Sequence, residues 1–181
     1  MKTRPTKVRT KKRSMTPSAL LAQAEDLLRT GRPDEAFPLA TRALAILQPS
    51  PQNPTRSLPA LDLLAHISLE LGSPSAARTH FLAAVKLDPD GSIPESDGGG
   101  AEKFLWLAQL SEEGGRDSVD WFEKGAEVLR REIVAVVGMG DKEGEAGDAV
   151  EGMMKRLASA LCGIVEIYMT DLSYVQNLHN L

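Results

Sequence analysis

The sequence predicts an all-α protein, an α-solenoid of stacked helical hairpins about three and a half repeats long. Three observations lead there. Only 4% of the 181 residues are aromatic, whereas good helix formers such as Ala, Leu, Glu and Arg abound. Segments of helical period come in pairs divided by glycine, at Gly31, Gly72 and Gly114-Gly115. Within one such segment Ala77, Phe81 and Ala84 alternate small, large, small at spacings of four and three, before Pro89 stops the helix. Those spacings place the three side chains on one helix face, where small residues admit a neighbouring helix and Phe81 fills the space between them.

Residues 1–15 hold Pro5 and hardly an apolar side chain, so they have little to offset the entropy of ordering and read as a basic tail. Thr16 or Ser18 can cap a first helix with Pro17 in its first turn. Leu20, Leu21, Ala24, Leu27 and Leu28 then recur at helical spacing up to Gly31. A partner helix from Pro33 carries Ala36, Ala40, Ala43, Leu44 and Leu47, completing a hairpin over 16–48. Pro49, Pro51 and Pro54 extend the chain. The hairpin over 58–89 has Leu61, Leu64, Ala65 and Leu69 on one face of its first helix, with Asp62, His66 and Glu70 on another.

Residues 90–100, ending Gly98-Gly99-Gly100, are expected to form a flexible loop. The hairpin over 101–138 begins with Phe104, Leu105, Leu107, Ala108 and Leu110, and its second helix repeats the small–large–small pattern at Ser118, Phe122 and Gly125. Gly138 to Gly147 reads as another loop. A last helix, from about Asp148 to Leu172, bears two apolar stripes: Leu157, Leu161, Ile164 and Tyr168, beside Met154, Ala158, Val165 and Met169. A helix so apolar expects neighbours on more than one side. Residues 173–181, an irregular tail, are too few to supply one, so the expectation is a half repeat over 148–172 in a chain that stops in mid-repeat, as a fragment, splice variant or misassigned gene would.

The segment from Gly72 to Pro89 resembles the second helix of a tetratricopeptide repeat together with its turn glycine. Gly31 and Ala36 repeat the Gly72–Ala77 interval, with Ala40 where Phe81 stands. The distance from Ala36 to Ala77 is 41 residues, and the proline-rich linker accounts for the excess over the usual period of about 34.

The formal charge of −4 conceals two regions of opposite sign. Seven of the 21 basic residues fall within 2–13, which leaves 14 against 25 acidic residues in the body, a balance of about −11. Lys11, Lys12 and Arg13 are candidates for a nuclear import signal, or else a solvated basic tail, and no aromatics are interleaved for base stacking. No apolar run approaches the ~20 residues of a membrane span. A single cysteine, Cys162, excludes an internal disulfide framework and reads as a small buried core residue in its apolar helix.

Chemistry is sparse. The sequence has no nucleotide-binding loop, zinc spacing or nucleophile elbow, and His66, His80 and His179 are isolated. No enzyme, cofactor, metal or small-molecule substrate is expected, and no direct contact with nucleic acid or membrane. The acids say more. Glu25, Asp26, Asp62, Glu70, Glu112, Glu113, Glu166 and Asp171 are placed on the first helices of their hairpins, which line the concave face of such a stack. Glu25, Asp62, His66, Glu70, Gln109, Glu112, Glu113, Glu166 and Asp171 are therefore the candidate partner-binding residues, an acidic groove for a basic partner.

The segments Ser118-Val-Asp-Trp-Phe-Glu-Lys-Gly125 and Leu157-Ala-Ser-Ala-Leu-Cys-Gly-Ile-Val-Glu-Ile-Tyr-Met-Thr-Asp-Leu172 resemble the fungal tetratricopeptide chaperones dedicated to large-subunit ribosomal protein four, over residues 16–174. That resemblance implies a non-enzymatic chaperone that captures a basic ribosomal protein of the large subunit and escorts it to assembly. It would move between cytoplasm and nucleus, with help from an import receptor. The carboxylate clamp of heat-shock adaptors is missing, since Leu21, Glu25, Asp62 and His66 occupy its places. The competing expectation is a general tetratricopeptide scaffold that binds through apolar surface rather than charge.

Overall fold

The computed structural model describes residues 15–47, 53–138 and 145–172. These form seven α-helices: α1 (Pro17–Arg29), α2 (Pro33–Ile46), α3 (Leu58–Glu70), α4 (Pro74–Leu87), α5 (Glu102–Gln109), α6 (Gly115–Gly138) and α7 (Glu145–Ile167). Each packs against the next in sequence, so the chain is an all-α solenoid of antiparallel hairpins with α1, α3, α5 and α7 along one side. The basic tail with Lys11, Lys12 and Arg13, the linker prolines Pro49 and Pro51, and residues 173–181 lie outside the described residues.

The hairpin turns follow from local chemistry. Thr16 caps α1 by accepting the Ala19 amide at 3.3 Å, and Pro17 supplies a preset φ at the first helical position. After α1, Gly31 takes φ +73° while the Arg32 amide reaches back to the Leu27 carbonyl and the Gly31 amide to that of Leu28. After α3, Gly72 (φ +67°) and Ser73 make the same two bonds to Leu69 and Ser68. Both turns are thus closed by the same glycine-centred arrangement, and a proline then starts the returning helix.

Between the helices the small–large–small rule holds. Ala77, Phe81 and Ala84 are all buried, and Phe81 packs with Ala65 of α3 and Leu107 of α5. In α2 the corresponding Ala36, Ala40 and Ala43 are fully buried, so that helix lies close against Leu20, Ala24, Leu64 and Ile67. In α6, a Cβ on Gly125 would come within 2.5 Å of Leu105, so glycine is what lets α5 approach. Eight of the 13 residues of α3 are buried, as expected of a helix walled in by neighbours on several sides.

Three expectations need correcting. Helix α7 begins at Glu145, inside the stretch read as a loop. Cys162 is exposed, because it shares a face of α7 with Leu161 and Val165 that none of the other described helices covers. Residues 90–100 are not a loose connection. Gly98, Gly99 and Gly100 are buried, and the amides of Gly99 and Gly100 bond to the carbonyls of Pro94 and Ile93. The anchor of this loop is a buried ion pair: Lys103 Nζ donates to Asp88 Oδ2 at 2.7 Å and to the Gly100 carbonyl at 2.8 Å, both side chains being 1% exposed. Asp88 Oδ1 in turn accepts the amides of Ser92 and Ile93.

Candidate functional site: an aromatic and acidic cleft

The side of the solenoid lined by α1, α3, α5 and α7 carries the most concentrated polar chemistry among the described residues. Its centre is Trp106. The spacing Glu102, Trp106, Gln109 places these three on one face of α5. Glu102 accepts the Trp106 indole N–H at 3.2 Å, and the indole lies nearly parallel to Phe81, with centroids 6.4 Å apart at 7°. His66 of α3 sets its ring edge-on to both Trp106 and Phe81. Two clefts open from Trp106: one of about 190 Å³ towards Arg156, Ser159 and Ala160 of α7, the other of about 340 Å³ towards Leu28 and Arg29 of α1.

Charge accumulates around this ring. His66 Nε2 stands 3.6 Å from both Asp62 and Glu102. That length is an ion-pair separation rather than a good hydrogen bond. The Asp62 carboxylate raises His66 above the ordinary imidazole range, against the opposing effect of burial, with Glu102 and Glu70 adding to the rise. Burial pushes Glu102 up, partly offset by His66 and the Trp106 N–H. Burial acts on Glu95 in the same direction, but the Arg156 guanidinium, 2.7 Å away, outweighs it and holds Glu95 low. Glu132 is raised, by burial first and then by the charge of Glu95. Asp62, Glu70 and Glu102 thus surround His66, while Glu95 pairs with Arg156 beside them.

Some of the expected residues meet here and others do not. Asp62, His66 and Glu70 of α3 border the cleft, and Gln109 lines it. Glu25 is exposed on α1, one turn before Leu28. Glu112 and Glu113 are not on a first helix at all. α5 ends at Gln109, and they sit exposed in the turn that follows, where the Ser111 hydroxyl accepts the Gly114 amide. Glu166 borders a separate apolar cleft with Leu161, Val165 and Met169. The side chain of Asp171 lies outside the described residues. Glu95, Glu102, Trp106 and Arg156 were missed. The i, i+4 pair Glu102/Trp106 was legible in principle; the Glu95–Arg156 bridge spans 61 residues and leaves no local trace.

His66 yields a pH prediction. A histidine whose folded value is raised stabilises the fold fully below its unfolded value of about 6.5, and the contribution fades as pH rises through the folded value. An NMR titration should place the His66 midpoint above about 6.5, and Asp62→Asn should bring it down. The stability advantage of wild type over His66→Gln should be largest near pH 6, under about 1 kcal/mol, and shrink towards pH 8. A wild-type midpoint at or below the ordinary value contradicts the geometry.

Comparison with known proteins agrees with the fold and adds a relationship. No family model matches the chain. A probable assembly chaperone of rpl4 from Emericella nidulans is 56% identical over 120 residues, which is 66% of this chain and 30% of that protein. A probable assembly chaperone of rpl4 from Schizosaccharomyces pombe is 31% identical over 159 residues, 88% of this chain and 40% of the relative. The solved structure of Assembly Chaperone of RpL4 (Acl4), residues 1–338, superposes with a TM-score of 0.81 at 47% identity, covering 88% of this chain and 56% of that one. Over most of its length the chain is similar to proteins named as assembly chaperones of rpl4. It spans less than half the length of the curated relatives it matches. The resemblance read from Ser118–Gly125 and Leu157–Leu172 therefore pointed to the right proteins, and the Acl4 structure supports the solenoid of helical hairpins.

Proposed function

We propose that this chain is a non-enzymatic chaperone that binds the basic ribosomal protein rpl4 and keeps it soluble until it joins the large subunit. The observation that carries this reading is the surplus of carboxylates around Trp106, on the groove side of a chain whose relatives are rpl4 chaperones. Arg- and Lys-rich segments bind RNA non-specifically through its phosphates. An acidic groove competes for the same charges until rRNA replaces it, and its field speeds encounter with the client. The basic run Lys11, Lys12 and Arg13 would serve nuclear import through a receptor, so the chain would work in both cytoplasm and nucleus.

Purified chain mixed with rpl4 should form a complex whose affinity falls at least about tenfold as salt rises from ~0.1 M to ~1 M, because the Debye length contracts from about 10 Å to about 3 Å. A variant lacking residues 2–13 should bind equally well yet stay out of the nucleus when expressed as a fluorescent fusion. Absence of a complex at low salt would refute the chaperone reading. The competing reading, a general scaffold that binds through apolar surface, draws on the exposed Val165 of α7 and Met169 in the π-helical turn that follows it (56% and 73% exposed). Binding unchanged by salt would favour it.

A further inference from the structure

We propose that the cleft over Trp106 is a pocket for an arginine side chain, so that the groove selects arginine over lysine in a basic client segment. This rests on the acidic-groove reading and goes beyond it, since a field of carboxylates alone attracts either cation equally. Trp106 is flanked by Phe81 on one side, and its indole N–H is spent on Glu102. What it presents to the cleft is therefore ring surface, backed by the apolar edges of Leu105 and Phe122. At about 190 Å³ the cleft would hold about six waters at ~30 Å³ each, room for a guanidinium and the end of its stem.

The cleft is complementary to an arginine in two independent respects. A planar guanidinium can stack on an indole face while its edge donates to a carboxylate and an amide oxygen, here Glu102 and Gln109 at either end of the same helix face. A lysine ammonium is a compact, strongly hydrated charge that cannot do both at once. The resident Arg156 shows that the wall already accommodates a guanidinium. Its charge is taken up by Glu95 at 2.7 Å, which leaves the two carboxylates Glu102 and Asp62 sharing His66, 3.6 Å from each. His66, 3.6 Å from Glu102, supplies the one titrating positive charge that an incoming arginine would displace.

The test uses the full chain with two fluorescein-labelled peptides, nona-arginine and nona-lysine, at one salt concentration. Nona-arginine should bind about two- to fivefold more tightly, the scale of an exposed cation–π contact. Trp106→Leu should bring that ratio close to one. Glu102→Gln, which keeps an acceptor for the indole, should weaken both peptides and reduce the ratio, and it provides the test should Trp106→Leu fail to fold by circular dichroism. Equal affinities for the two peptides in wild type would overturn the arginine pocket while leaving the acidic groove intact. Failure of both peptides to bind would overturn the groove reading as well. A ratio that survives Glu102→Gln and a folded Trp106→Leu would place the selectivity elsewhere and so also reject the proposal.

Discussion

Replacing Lys103 by methionine should cost the fold about 3–5 kcal/mol, a large share of what a domain this size has to lose. The side chain is 1% exposed and gives its charge to Asp88, itself 1% exposed, at 2.7 Å. It also satisfies the Gly100 carbonyl and lies 4.8 Å from the centre of the Phe104 ring. Methionine conserves the volume and removes the cation, leaving Asp88 as an uncompensated buried carboxylate and Gly100 without its donor. Asp88 cannot swing out to water without releasing the Ser92 and Ile93 amides that it holds. Lys103→Met with Asp88→Asn should recover more than half of the loss, because no buried charge remains and the asparagine oxygen can still accept the loop amides. Urea unfolding of the two variants checks both numbers. A single variant within about 1 kcal/mol of wild type would show that this pair does not anchor the loop. The effect reaches the cleft, since this loop carries Glu95, and Glu95 holds Arg156 of α7.

How much of this was legible follows from the range of each interaction. The hairpin phase rests on contacts within one helix turn and on glycine after a helix end, so Gly31, Gly72 and the run Ala77, Phe81, Ala84 announce themselves. The central pair Asp62 and His66 is also local, four residues apart on α3. What joins them is not local. Glu102 comes from the next hairpin, Arg156 from the one after it, and Glu95 from a loop whose shape depends on Lys103. Lys103 stands just before the apolar run Phe104-Leu105, and nothing in its neighbours shows that the carboxylate needed to bury it is 15 residues back. Cys162 misled for the opposite reason. Its apolar sequence neighbours suggest a core, but burial also needs a facing element, which no helix period can reveal.

The same distinction gives a ranking of glycines that reverses the one suggested by sequence. Gly72 carries the repeat signature, and Gly99 sits in a glycine run that reads as a spacer. Yet a Cβ added at Gly72 would meet nothing within 4 Å, so Gly72→Ala should cost only the strain of a left-handed backbone, about 1–2 kcal/mol. At Gly99 the Cβ would lie 2.2 Å from the Ile93 carbonyl oxygen and 2.6 Å from Ile93 Cβ. Backbone cannot step aside as the end of a side chain can. The Gly100 amide bonds to that same carbonyl at 2.7 Å, and on the other flank a Cβ at Gly98 would stand 2.6 Å from the Leu58 backbone. Relief would require this loop to lift off the start of α3 and take Glu95 with it. Gly99→Ala should therefore cost about 3 kcal/mol or more, and it should also weaken the proposed binding of rpl4 through the lost Glu95–Arg156 bridge. Thermal and urea unfolding of the two variants side by side decides the matter. If Gly72→Ala proves the more damaging, the loop over 90–100 is the loose spacer its composition suggests, and the cleft does not depend on it.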